Sequence, residues 1–191
     1  MVNIAIFASG GGSNANEIIK YFTKHPKISV ALIVSNNPKA GVLEISAQNK
    51  IDTKLIHKED LKECDNLIAS LIQKEIQLIV LAGFLWHIPS KLIQAFPDRI
   101  LNIHPSLLPK YGGKGMYGHY VHEAVKTNNE KYSGMTIHKV NAYYDEGDII
   151  FQKSIEISQD MNADDIASSV LKLEHTYYPS IIENYINSEF S

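Results

Sequence analysis

Cysteine occurs once in the 191 residues, as Cys64, so no disulfide can form within the chain and a cysteine-built metal cage is excluded. Arginine is equally scarce: Arg99 stands alone beside seventeen lysines. An anionic ligand must therefore be held mainly by backbone N–H groups and lysines, not by guanidinium forks. No apolar run approaches the ~18 residues of a membrane span. Met1-Val2-Asn3-Ile4 carries no basic segment, so no signal peptide is expected. Neither sign of charge dominates: 18 basic against 21 acidic residues leave a net charge of −3, which is no electrostatic footprint for nucleic acid. These absences fit a cytoplasmic protein that binds neither nucleic acid nor membrane. The length suits one domain and is marginal for two. With no repeat, linker or low-complexity tract in view, residues 1–191 read as a single domain.

What is present is an alternation of strand-like and helix-like segments. Asn3–Ser9, Ser29–Ser35, Lys54–His57, Gln77–Phe84 and Arg99–His104 read as short apolar strands. Ser13–Thr23, Val42–Lys50, Leu61–Glu75 and Pro89–Phe96 read as helices between them, the last with Pro89 at its first position. Five such units with short connections predict a doubly wound, mostly parallel α/β sheet. Thr136–Val140 and Asp148–Ile157 then alternate around a turn-rich segment, which predicts a late hairpin-like pair. Ala163–Asn187 predicts a C-terminal helix, with Pro179 as a possible break.

Ser9-Gly10-Gly11-Gly12-Ser13-Asn14 joins the first strand to the first helix. Glycines let a backbone turn sharply and approach a ligand closely, and a helix N-terminus suits a phosphate. The other reading is a tight turn capped by Ser13 or Asn14. On the phosphate reading, a side chain at Gly12 would occupy the phosphate's space. Gly10, Gly12 and Ala15 also match the loose dinucleotide pattern, but the second strand ends Ser35-Asn36-Asn37-Pro38 without a carboxylate to hold a ribose. A phosphate monoester is favoured over NAD, which weakens a dehydrogenase.

Asn102 and His104 are two apart at the carboxyl end of a strand, so they share a face. An amide beside an imidazole suits a tetrahedral acyl-transfer intermediate; the alternative is a pair of satisfied polar groups. Asp145, Glu146 and Asp148 follow in an acidic turn, and a carboxylate beside an imidazole would orient it and favour its charged form. Spacing alone does not choose among the three. His119, His122 and Glu123 have ligand-compatible helical spacing, yet lack a further strong ligand, and no metal is expected. His25, His57, His87 and His138 have no partner that the sequence identifies and read as structural or exposed.

SGGGSN (Ser9–Asn14), VLAGF (Val80–Phe84), NIHPSLLPKY (Asn102–Tyr111) and the later D-x-G (Asp145–Gly147) occur together and in this order. Over nearly its whole length the chain resembles the folate-dependent phosphoribosylglycinamide formyltransferases. The resemblance implies a Rossmann-like formyltransferase fold. It implies transfer of a formyl group from 10-formyltetrahydrofolate, the co-substrate, to the amine of glycinamide ribonucleotide. Its partners would be small molecules, and the chain a monomer or homodimer. Catalytic roles would fall on Asn102, His104 and Asp145. The substrate phosphate would fall to Gly11, Gly12, Ser13 and Asn14, and the glycinamide end to Glu174, which spacing alone makes a solvated helix residue. The folate site would use Leu85, Trp86, His87 and Ile88 with Asn141 and Tyr144. Two departures stand out. Leu85-Trp86-His87 lacks the arginine that family members carry after AGF, leaving Trp86 either to stack on folate or to cover the core. Lys110–Tyr120 is unusually rich in glycine, and Lys110 and Lys114 are either anion-binding or solvated.

Overall fold

A computed structural model describes residues 1–190. A seven-stranded sheet is its centre, in the order β3-β2-β1-β4-β5-β6-β7. The first five strands are β1 (Val2–Phe7), β2 (Ile28–Ser35), β3 (Asp52–Leu55), β4 (Ile76–Leu81) and β5 (Ile100–His104), all parallel. β6 (Tyr132–Lys139) runs antiparallel to β5, and β7 (Ile149–Glu156) antiparallel to β6. The late pair is thus the expected hairpin, added to an otherwise parallel sheet.

Burial of both faces explains why β1 is apolar from Ile4 to Phe7. Ile4 and Ile6 enter one buried core, whereas Ala5 and Phe7 enter another on the opposite face. The first core is closed by α1 (Ser13–Phe22), α6 (His119–Thr127) and α7 (Ala163–Glu189); α2 (Gly41–Gln48) contributes Val42 to it. The second takes Leu61 from α3 (Lys58–Glu63), Leu67 and Leu71 from α4 (Asp65–Gln73) and Leu92 from α5 (Ser90–Ala95). Among the described residues, no helix is long and apolar enough to cross a membrane.

Several boundaries differ from the sequence expectation. Leu61–Glu75 is not one helix: Cys64 adopts φ 63, ends α3 and begins α4. Its thiol donates to the Leu61 carbonyl and its side chain is fully buried, so core packing holds a turn that no glycine or proline announces. The third strand lies two residues earlier, at Asp52–Leu55. Pro89 is the N-cap of α5 instead of its first helical residue. α7 runs unbroken through Pro179. An internal proline costs about 3 kcal/mol, but here Tyr178 and Ile182 on either side are fully buried, and the Tyr178 hydroxyl donates to the Leu81 carbonyl at 2.9 Å. Burying such side chains is worth ~1.5–3 kcal/mol each, enough to offset the lost backbone bond.

The sheet's winding reverses between β1 and β4, which are neighbours with connections leaving in opposite directions. Ligands bind outside the carboxyl ends of strands at such a reversal. Here the loops after the two strands are laced together: Ser9 N–H donates to the Gly83 carbonyl, and Leu85 N–H to Ser9 Oγ, both at 3.0 Å.

Candidate active site

β5 delivers Asn102 and His104 to the same face, and antiparallel pairing sets His138 of β6 opposite Asn102. The His138 ring is buried and its Nδ1 lies 2.7 Å from the Lys139 carbonyl. With the proton on Nδ1, Nε2 accepts from Asn102 Nδ2 at 3.0 Å. The other amide hydrogen of Asn102 reaches Asp145 Oδ1 at 3.4 Å, near the outer limit for such a bond.

Asp145 arrives on the turn between β6 and β7. It has φ 57, and a β-carbon on Gly147 would stand 1.8 Å from the Lys139 carbonyl, so this turn presses against β6 where only glycine fits. Asp145 Oδ2 accepts from Gly113 N–H at 2.9 Å and lies 3.5 Å from His104 Nδ1. His104 Nε2 lies 2.7 Å from the Tyr111 carbonyl, to which it donates. The loop after His104 is braced by Thr136, whose hydroxyl donates to the Ser106 carbonyl and accepts from Leu108 N–H.

These contacts set the charges. Burial pushes the His104 pKa down, outweighing the upward pull of Asp145 and the Tyr111 carbonyl, and nearby His138 lowers it further. Burial alone would raise the Asp145 carboxyl, but the fields of both histidines and the Gly113 N–H together hold it below the usual value. At neutral pH the pair is therefore a carboxylate beside a neutral imidazole.

Asn102, His104 and Asp145 line a cleft of about 650 Å³. So do Leu85, Trp86, His87, Ile88, Asn141 and Tyr144, together with Asn14 and Glu174. His87 contacts the Ala142 carbonyl at 3.2 Å and stacks edge-on against Tyr144, joining the two segments. Trp86 packs on the second core through Phe84 and also lines the cleft. Glu174 is buried, not solvated: its Oε2 accepts from Asn14 Nδ2 at 2.6 Å. Burial pushes its pKa up, and the bond from Asn14 draws it partly back.

The glycine loop does not cap α1 with a side chain, so the capped-turn reading does not hold. Gly12 has φ 80, and a β-carbon there would meet Val42 Cβ at 2.8 Å and its Cα at 2.9 Å. A substituent at Gly12 would thus strike α2; the same test at Gly11 finds nothing within 4 Å. Gly11, Gly12 and Ser13 lie outside the lining of the main cleft, and Asn14 is the link between loop and cleft.

Other candidates separate. Lys110 pairs with Glu130 at 2.9 Å, whereas Lys114 lines the cleft. His119 pairs with Glu123 and Asp164, and both it and His122 line the cleft. His25 bonds Glu183 and accepts from Ile28 N–H, and His57 caps α3. His138 is the residue that sequence reasoning missed: it is structural, but its structure is that of the site. Only the β5–β6 register would have revealed it. Tyr111 and Gly113 act through backbone groups and leave no sequence signal.

The profile of the formyl transferase family matches residues 2–182. A chloroplastic phosphoribosylglycinamide formyltransferase of Arabidopsis thaliana is 39% identical over 94% of this chain, and the chain spans 63% of that relative's length. The Bacillus subtilis phosphoribosylglycinamide formyltransferase is 34% identical, with 97% of this chain and 95% of the relative covered. The crystal structure of a phosphoribosylglycinamide formyltransferase from Bacillus halodurans superposes with a TM-score of 0.88 at 30% identity, covering 99% of this chain and 97% of that one.

Proposed function

The chain belongs to the formyl transferase family, and from that premise we propose that it moves the formyl group of 10-formyltetrahydrofolate to the amine of glycinamide ribonucleotide, a step of de novo purine biosynthesis. One observation carries this reading: Asn102, His104 and Asp145 meet in a cleft that also takes in Leu85–Ile88, Asn141 and Tyr144, and Asn14 at the end of the glycine loop.

The unprotonated amine attacks the formyl carbon. Charge gathers on the formyl oxygen; Asn102 donates to it, and His104, whose Nε2–H is spent on the Tyr111 carbonyl, donates from Nδ1 once that nitrogen shares the amine proton taken up beside Asp145. Asn102 suits the task because one N–H is anchored on His138, which fixes the amide plane, while the other is held only loosely by Asp145 and can be given up to the oxyanion. The lowered His104 pKa favours orientation over permanent protonation as what Asp145 supplies to that ring. The Asp145 carboxylate, with His104 Nδ1 beside it and a bridging water, takes the amine proton and passes it to the folate nitrogen as the carbon–nitrogen bond breaks. The amine is already the nucleophile, so no covalent enzyme intermediate forms.

The phosphate is assigned to Gly11, Gly12, Ser13 and Asn14, through N–H groups that no side chain caps. Glu174 faces the glycinamide end, and the folate ring lies along Leu85–Ile88 with Asn141 and Tyr144. In place of the missing arginine, Lys58 and Lys62 line an adjoining hollow with Trp86, His87 and Tyr144, a seat for the folate's carboxylate tail. We assign the protein to the cytoplasm, as a monomer or homodimer.

Thermal unfolding with separate ligands tests the substrate class. A folate analogue should raise the melting temperature, and raise it further with glycinamide ribonucleotide present. NAD and NADP at ~1 mM should leave it unchanged, although only ~4 kcal/mol of binding free energy would suffice for an effect. Stabilisation by NAD with indifference to folate would restore the dehydrogenase.

A further inference from the structure

His122 has no role in the mechanism above, yet it is 5% exposed, lines the cleft, and its Nδ1 is buried without a hydrogen-bond partner. Buried ring nitrogens are normally paired, and an unpaired one on a residue that lines a cleft calls for an explanation, which a ligand bound there supplies. Burial, with repulsion from His119 and His104, pushes its pKa down to about 4. The ring is therefore neutral at pH 7, with one N–H to donate and one lone pair to accept. A second orphan borders the same cleft: Asn14 Oδ1 is buried and unpartnered, while Asn14 Nδ2 is spent on Glu174.

Asn14, His122 and Glu174 sit on α1, α6 and α7, and the first two helices both pack on the third. Together they offer acceptor oxygens, one imidazole and no cation. Lys114 lines the same cleft and could meet an anion, but an anion has no hydrogen to give Asn14 Oδ1, and an apolar group would leave both orphans unpaired. The group that satisfies them is neutral and donates more than one hydrogen bond, as vicinal hydroxyls do.

We propose that His122, with Asn14 Oδ1, hydrogen-bonds the sugar hydroxyls of the ribonucleotide substrate and is a specificity-determining residue for it. This rests on the proposed function: with the phosphate on the loop that ends at Asn14 and the amine at His104 and Asp145, the sugar spans the interval. His122 selects a hydroxylated sugar, and the formyl donor does not feel it.

Steady-state kinetics on His122→Leu, which keeps bulk and removes both ring nitrogens, is the test. KM for the ribonucleotide should rise at least ~10-fold, consistent with losing hydrogen bonds to a buried site, while KM for the formyl-folate changes less than about two-fold. The variant should melt no lower than wild type, because an unpaired polar atom has gone, so the lost affinity is not a lost fold. A ribonucleotide lacking the 2′ and 3′ hydroxyls should be a poor substrate for wild type and no poorer for the variant. His122→Asn, which restores an amide near the Nδ1 position, should recover part of the affinity. An unchanged ribonucleotide KM in folded His122→Leu, or wild-type indifference to the missing hydroxyls, overturns the proposal. Absence of formyl transfer by wild type to the intact ribonucleotide overturns the underlying function as well.

Discussion

The glycine loop after β1 and the acidic turn after β6 are both short, polar and glycine-bearing, and they are built in opposite ways. In the loop, space is left open at its first two glycines, though not at Gly12: a β-carbon on Gly10 or Gly11 meets nothing within 4 Å, and no side chain caps the helix that follows. At Asp145 and Gly147 in the turn, the surroundings are filled. Gly147 abuts the Lys139 carbonyl, and the Asp145 carboxylate faces Gly113 N–H, Asn102, His104 and His138. An unfilled set of donors is what a ligand completes on arrival. A filled set is what holds a reacting group still before the ligand comes, so that little reorganisation remains for the reaction. The open segment is suited to binding and the closed one to chemistry.

The largest effect should come from the closed segment. Asp145→Asn and His104→Ala should each lower the rate of formyl transfer by at least ~10²-fold, with ribonucleotide affinity little changed. Turnover near wild type in either would remove the chemistry from this turn. Substitutions at glycines then sharpen the contrast. Gly147→Ala should lose both stability and activity, since its β-carbon would displace the Lys139 carbonyl or the turn itself. Gly12→Val should mainly destabilise, because it strikes Val42 and demands φ 80 of a branched residue. Gly11→Val should melt like wild type and lose ribonucleotide affinity. Unfolding curves and ribonucleotide titrations on the three variants separate these outcomes; equal affinity in folded Gly11→Val would move the phosphate elsewhere.

The smallest effect is on acid stability. His104 and His122 both have folded pKa values below the ordinary 6.5, that of His122 at about 4. Between those values the unfolded chain binds more protons than the folded one, so stability falls as pH falls from about 6.5 toward 4. The His122 share should be about 1–3 kcal/mol. The lowered Asp145 pKa acts in the same direction but further into acid, its contribution being lost as pH drops through a folded value under 3.8. Denaturant unfolding at pH 7 and pH 4.5 should therefore show a smaller loss for His122→Leu than for wild type. Identical losses would mean that the folded ring titrates normally.

What the residues disclosed follows from what they encode locally. The parallel strands were legible because both faces are buried and the runs are apolar; Asn102 and His104 were placed because alternation on one strand needs no partner. The break at Cys64 was not legible, since packing rather than a helix breaker imposes it. The continuity of α7 through Pro179 depends on contacts with distant strands. Spacing alone left Asp145, Glu146 and Asp148 equal, and it is the return of Gly113 and the β5–β6 register that single out Asp145. Register also hides His138, because a partner thirty-six positions away in the chain leaves no local trace. Glu174 looked solvated on its helix because the hydrogen bond that buries it crosses from α1.

The most direct test of the account is an assay of tetrahydrofolate release from 10-formyltetrahydrofolate by the purified protein, run with glycinamide ribonucleotide and then without it. The account predicts release that depends on the ribonucleotide and is matched one for one by formylated product. Release at the same rate with the ribonucleotide omitted, or none with both substrates present, would contradict it.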